Sequence, residues 1–292
     1  MIRYLLTAAT AALVLTTPAE AKRAIALYTP VQKLVRADAV VVGKVTALEK
    51  DAVTATPHPN ATEKLSYKVA VLKVETGLVG AANVTHIKVG FFPPPPAAPP
   101  ADPAPVRPVR GGFQQVNLTE GMEGLFYLTK HHSGDFYTIS PLLAPTDAKA
   151  EDYKAQVALA KTGAAALADP MKALKAEKAA DRFFAAVVVV QKYRAYPEGG
   201  VEAEAVKVPA DESKLVLKAL AEGEWKPDPN DGNAPNGYMA FAQLGLTDKD
   251  GWKYPQVKAG EDVYAKTKEA FAAWLAGPGK DYQISKWVPK KK

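Results

Sequence analysis

Nine of the chain's 24 prolines fall within residues 90–113, whose sequence is GFFPPPPAAPPADPAPVRPVRGGF. Proline fixes φ and has no backbone N–H to donate, so this stretch is predicted to be an extended polyproline II segment outside any sheet. Strand-like runs stand on both sides of it. If it joined two domains, the hairpin that follows would be left alone, and a lone hairpin is only marginally stable in water. We therefore predict that residues 93–110 form a loop within one strand-rich domain.

Five runs between residues 37 and 140 are rich in β-branched and aromatic residues and end at turn-forming residues, a pattern that predicts strands. The first, AVVVGKVTAL, starts with an unbroken apolar stretch and contains a glycine at which a strand can bend. The last two runs are joined by HHSG, which indicates a hairpin. Five short antiparallel strands fit a small closed barrel of the oligonucleotide/oligosaccharide-binding (OB) type. The runs are residues 39–48, 64–75, 83–92, 124–130 and 135–140.

Two motifs carry a resemblance to known proteins. The segments ADAVVVGKV (residues 37–45) and EGMEGLFYLTK (residues 120–130) resemble the barrel of uncharacterised secreted bacterial proteins whose fold is similar to the netrin and TIMP-like (metalloprotease-inhibitor) barrels. The resemblance covers about residues 36–145 and implies an OB-type barrel outside the cytoplasm. The inhibitors chelate the protease zinc through an N-terminal cysteine, and this chain has no cysteine. The resemblance therefore carries over neither that mechanism nor any site residue.

From Thr146 onward the composition shifts to alanine, lysine and glutamate with helical spacing. The pattern predicts an α+β protein in which a barrel domain (residues 22–145) is followed by an all-helical domain (residues 146–292). The predicted helices are one opened by Thr146 and Asp147 and closed by Gly163, one opened by Asp169-Pro170 and running from Met171 to Tyr196, one over 211–223, one over 237–244, and a last one that stops at Gly277-Pro278.

Residues 1–21 have the features of a secretory signal peptide. Arg3 precedes an apolar run from Leu5 to Leu15, and Ala19-Glu20-Ala21 is a small-x-small cleavage signal. The apolar run is about half of the roughly 20 residues that a membrane span needs, so no transmembrane segment is expected after cleavage. We therefore expect cleavage after Ala21 and a secreted or periplasmic protein. Because the chain has no cysteine, its cores must stabilise it without disulfides.

The sequence carries none of the motifs for dinucleotide, P-loop, hydrolase or zinc-protease sites. His131 and His132 at the hairpin tip could supply metal ligands. Adjacent residues of a strand point to opposite faces, however, so we interpret this pair as part of a solvated turn. The sequence therefore assigns no catalytic residue, no metal ligand and no cofactor. The leading hypothesis is a non-enzymatic binding or scaffolding protein of the cell envelope.

Two interpretations of the proline-rich loop stay open: an insertion without a binding role, or a preformed segment that docks in an aromatic groove of another envelope protein. For the second, the candidate partner-binding residues are Pro93, Pro94, Pro95, Pro96, Arg107 and Arg110. Alternative hypotheses place an enzyme site at the junction of the two domains, or an oligosaccharide on the barrel. Nucleic acid is not expected, since basic residues and stacking aromatics do not share a strand face.

Overall fold

A computed structural model describes residues 28–93, 115–197, 202–228 and 231–290. These residues form a mixed α/β protein. We call residues 39–147 the strand region and residues 153–290 the helical region. The strands are β1 (Ala39–Leu48), β2 (Val53–Ala55), β3 (Leu65–Val79), β4 (His86–Phe91), β5 (Glu123–Lys130), β6 (Tyr137–Thr138), β7 (Thr146–Asp147), β8 (Ala203–Lys207) and β9 (Ser285–Pro289). The helices are α1 (Pro30–Arg36), α2 (Tyr153–Ala168), α3 (Pro170–Ala173), α4 (Ala179–Arg194), α5 (Ala210–Glu222), α6 (Gly237–Leu244) and α7 (Val263–Ala276), with 3-10 turns at Pro141–Leu143 and Asp248–Asp250.

The strand region forms one sheet. β1 pairs antiparallel with both β3 and β5, and β3 pairs antiparallel with β4. β6 pairs with β5 and β4, so the pairings lead from β1 through β3, β4, β6 and β5 back to β1. Each predicted run contains one of these strands, which confirms the five strand predictions; the short β2 and β7 were not predicted. The prediction that all pairs are antiparallel is wrong for β4 and β6, which are parallel because the hairpin after β5 returns the chain along the direction of β4.

β1 is buried on both faces, as its apolar sequence predicts. Val41 belongs to the apolar cluster on one face of the sheet, and Val40 belongs to a second cluster on the other face. The strand is irregular at Gly43, where the pairing register with β3 shifts. A Cβ atom at Gly43 would lie 2.4 Å from the carbonyl oxygen of Lys73, so only glycine lets the two strands approach this closely.

α1 joins the strand region to the helical region. Its Leu34 packs with Tyr127 of β5 and Ala160 of α2 in the second cluster. Its Val31 and Val35 belong instead to the core of the helical region. α1 has buried residues on two sides and therefore connects the two cores. The predicted division of the chain into two domains at residue 145 stays a prediction.

The first predicted helix is wrong at both ends. Thr146 and Asp147 pair with β5 as β7, and α2 begins only at Tyr153. α2 also continues past Gly163 to Ala168. A Cβ atom at Gly163 would lie 2.3 Å from Cδ2 of Leu34, so this glycine permits a close approach of α1 and α2 and does not end the helix.

The long helix predicted over residues 171–196 is also wrong, because it is broken. Asp169 caps the short α3 as expected, but the chain turns before α4 begins. Arg182 stabilises this turn from α4: its Nη1 donates to the carbonyl oxygens of Ala176 at 3.0 Å and Glu177 at 2.7 Å. These two carbonyl oxygens, which the break leaves outside a helix, therefore keep a hydrogen-bond partner. The four consecutive valines are helical, as predicted, and all four are buried.

The three later helix predictions are confirmed by α5, α6 and α7. They pack around buried aromatic rings, including Trp225, Phe241, Phe271 and Trp274. The prediction of an all-helical region is wrong, since β8 and β9 pair antiparallel with Ala205 opposite Trp287. Local pattern could not reveal this pairing, because AEAVK is poor in strand-forming residues and its partner strand comes at the far end of the region.

Several sequence predictions fall outside the described residues. They are the signal peptide over residues 1–21 and the proline-rich loop beyond Pro93, including Pro94, Pro95, Pro96, Arg107 and Arg110. Of the helices that the structure does describe, none has the length and apolar character required to cross a bilayer.

Candidate functional site

A cleft of about 720 Å³ lies where the strand region and the helical region meet, and we call it the junction cleft. Two segments of the strand region line it: the loop that follows β2 and the turn between β5 and β6. The end of α1, the end of α4 and strand β9 complete it. The residues used below are Asp38, His58, Lys130, His131, His132, Lys192, Tyr196 and Trp287.

The wall formed by the strand region contains two neighbouring imidazoles, whose planes are tilted by 34°. The rings of His131 and His132 have centroids 4.3 Å apart. On its other side His131 stacks on Phe136, with centroids 4.4 Å apart and an angle of 15° between the planes. Gly90 of β4 makes room for Phe136, because a Cβ atom there would lie 2.6 Å from Cε2 of that ring. The two histidines are therefore fixed side by side by the strand next to their turn.

Both imidazoles donate to one backbone oxygen. Nδ1 of His131 accepts from the N–H of Ser133 at 3.3 Å, which assigns the proton to Nε2. That Nε2 lies 3.0 Å from the carbonyl oxygen of Thr56, and Nε2 of His132 lies 2.7 Å from the same oxygen. Burial, and secondarily the neighbouring His132, lowers the pKa of His131 below its ordinary value of 6.5. The pair thus holds the loop after β2 against the turn between β5 and β6.

This arrangement corrects in part the interpretation of HHSG as a solvated turn. It is the predicted hairpin turn, and its other three residues are exposed, but only 4% of His131 is exposed. Both Nε2 atoms are already engaged by Thr56, and in the described ranges of the chain no group of three or more histidine, aspartate or glutamate side chains could hold a metal ion.

The helical region contributes an aromatic pair to the cleft. Tyr196, just beyond the end of α4, meets Trp287 of β9 edge to face, with ring centroids 5.3 Å apart. Tyr196 is 52% exposed. Arg194 fixes this end of α4, because its Nε donates to the carbonyl oxygen of Gln243 at 2.8 Å. Tyr196 therefore follows an anchored helix end, and Trp287 is held by strand β9.

Charged groups line the cleft between these two walls. Lys192 of α4 donates from Nζ to the carbonyl oxygen of Val35, at 2.9 Å, and so links α4 to the last turn of α1. Lys192 keeps contact with solvent, yet protein surrounds it, and this partial desolvation lowers its pKa while Asp38 opposes the shift. Oδ2 of Asp38 accepts from the backbone N–H of Lys130 at 2.8 Å. Asp38, which follows α1, thus links the end of that helix to β5 in the lining of the cleft.

Of the predicted partner-binding residues, the structure describes only Pro93, which is exposed. It follows Phe92, whose ring lies 4.5 Å from that of Tyr67, and Tyr67 in turn contacts His131. The proline-rich stretch therefore starts near the cleft but contributes no described lining residue. Its role as a partner-binding element stays a prediction.

The sequence did predict a site at the junction as an alternative, but it missed the residues that line it. Tyr196 and Trp287 are far apart along the chain, and only the pairing of β8 with β9 and the end of α4 bring them together. An aromatic followed by proline just beyond a predicted helix, as in Tyr196-Pro197, was the one local signal available.

Comparison with known proteins supplies no guide to the function: no family model, no curated protein and no solved structure matches this chain.

Proposed function

We propose that this protein is a non-enzymatic binding protein that holds an oligosaccharide in the junction cleft. The observation that carries the proposal is the exposed ring of Tyr196 beside Trp287 in a cleft that several polar side chains also line. Sugar rings present apolar faces and hydroxyl edges, so they need an aromatic surface together with hydrogen-bonding groups. Thr129, Thr138 and Ser140 supply hydroxyls, and Asp38 supplies an acceptor.

The order of strand pairing supports an OB-type barrel as the support for this site. The pairings pass from β1 through β3, β4, β6 and β5 back to β1, with one parallel pair between β4 and β6. In OB folds the loop between the first two barrel strands and the loop between the last two bind oligosaccharides or oligonucleotides. Here those loops contain His58 and the His131-His132 turn, and both line the cleft. Its volume also lies in the range usual for ligand sites.

The carboxylates favour binding over hydrolysis. Glycoside hydrolysis most often uses two carboxyl groups that flank the scissile bond. Asp38 is the one carboxylate among the described residues of the cleft, and it already accepts a hydrogen bond from Lys130. We therefore propose retention of the saccharide and not its cleavage, and we place the protein outside the cytoplasm, with residues 1–21 as its cleaved signal peptide.

Titration of residues 22–292 with cellotetraose, chitotetraose and tetragalacturonic acid tests this proposal. Calorimetry should show saturable binding of at least one of them. Tyr196→Ala should weaken that binding roughly tenfold or more, as expected for a central aromatic contact. Tyr254→Ala is the matched control, because Tyr254 is 62% exposed and does not line the cleft. Equal loss in both variants, or no binding of any of the three sugars, would refute the proposed function.

A further inference from the structure

We infer that the ligand of the junction cleft is an acidic oligosaccharide, whose carboxylates are bound by the cations at the junction. This inference rests on the proposed saccharide function and adds the charge of the ligand. Lys130 and Lys192 line the cleft, against the single carboxylate of Asp38 among the described lining residues. A concave site with an excess of one charge attracts ligands of the opposite charge.

The positive charges of Lys130 and Lys192 are not engaged in ion pairs with the described residues. Other lysines of the strand region form ion pairs, for example Lys44 with Glu123 and Lys88 with Glu49, both at 2.8 Å. In the described part of the chain, neither Lys130 nor Lys192 lies within 4.0 Å of a carboxylate oxygen. Within the described residues, the hydrogen bond of Lys192 goes to a neutral carbonyl, that of Val35. A ligand carboxylate could therefore complete an ion pair with either lysine.

Asp38 distinguishes a sugar acid from a nucleic acid. Both ligands carry rings and negative charge, and an aromatic surface beside lysines can serve either one. A phosphodiester chain has few hydroxyl donors for a carboxylate and is repelled by it. A saccharide has hydroxyls that donate to Asp38 while its acid groups reach the lysines. The presence of Asp38 in the lining of the cleft, where it accepts a hydrogen bond from the N–H of Lys130, therefore favours the sugar acid.

The test compares tetragalacturonic acid with its fully methyl-esterified form, which keeps the same rings and loses the charge. We expect residues 22–292 to bind the acid at least tenfold more tightly at 20 mM salt. That difference should shrink at 300 mM salt, because exposed ion pairs are screened. Lys130→Gln and Lys192→Gln should each weaken binding of the acid several-fold, and by a clearly larger factor than binding of the ester. Lys249→Gln, an exposed lysine away from the cleft, is the control.

The outcomes separate the two proposals. If the ester or neutral cellotetraose binds as tightly as the acid, the inference is wrong and the saccharide function stands. If no sugar binds, both are wrong. If a single-stranded thymidine oligonucleotide binds at the cleft more tightly than the acid, as judged by loss on Tyr196→Ala, the inference is overturned in favour of nucleic acid.

Discussion

The strand region and the helical region build their cores from different side chains. The main cluster of the strand region is largely aliphatic, and its buried Phe126 makes no ring contact with another aromatic of the described residues. The helical core is centred on stacked rings, and Phe241 alone contacts Trp225, Trp252 and Phe271 at centroid distances of 4.8, 5.1 and 5.4 Å. The stability of the first core depends on how completely its side chains fill the interior. The stability of the second depends in addition on the geometry of the contacts between its aromatic rings.

The same substitution in both cores tests this difference most directly. Phe126→Leu should cost about 1 kcal/mol, because a swap of similar volume is tolerated in an aliphatic core. Phe241→Leu should cost about 2–4 kcal/mol, because it also removes several aromatic pairs worth roughly 0.5–1.5 kcal/mol each. Urea unfolding followed by far-UV circular dichroism measures both. Equal losses would show that the rings of the helical core contribute only their buried area.

The contact between the two regions at α1 allows a sharper test. Gly163→Ala should destabilise the wild-type protein by about 1–3 kcal/mol, because the new methyl group would overlap Leu34. In a Leu34→Ala background the methyl group has space, and Gly163→Ala should stabilise the protein by about 0.5–1 kcal/mol through helix propensity. A double-mutant cycle based on urea unfolding gives the coupling energy. Additive effects of the two substitutions would show that the contact between α1 and α2 is not close.

These two cores also differ in how far the sequence predicts them. In the strand region, burial follows short runs of β-branched residues with turn residues between them, so five strands were predicted close to their observed positions. In the helical region the positions of α5, α6 and α7 were predicted, but the break before α4 was not. That break depends on Arg182 reaching back to two carbonyls, which is a tertiary contact and not a local pattern.

The site was the least predictable part, for a physical reason. The histidine turn was recognised as a hairpin, but burial of His131 requires Gly90 on another strand to make room for Phe136. The pairing of Trp287 with Tyr196 requires β8 and β9 to meet across most of the helical region. Contacts between residues far apart in sequence leave no periodicity that could be read from one chain.

The histidine turn should make the strand region sensitive to acid. Because the pKa of His131 is lowered in the folded protein, the stability it contributes is present above pH 6.5 and is lost as the pH falls through the folded pKa. The free energy of unfolding should therefore fall more between pH 7.5 and pH 5 in the wild type than in His131→Gln. The variant should start lower at pH 7.5, since it loses the stack on Phe136, and the two curves should converge in acid. Parallel curves would show that His131 does not carry this dependence.

The smallest effect on stability is expected at the junction cleft, where the proposed ligand would contact both regions. Tyr196 is half exposed and donates no hydrogen bond within the described residues, so Tyr196→Ala should change the free energy of unfolding by less than about 0.5 kcal/mol. The same variant should lose most of its affinity for the saccharide. Differential scanning calorimetry with and without ligand separates the two effects: the thermal midpoints should agree without ligand and differ with it, because only the wild type is stabilised by binding. A large loss of stability without ligand would mean that the contact between Tyr196 and Trp287 stabilises the helical region, and the exposed pair would then be a structural contact instead of a binding surface.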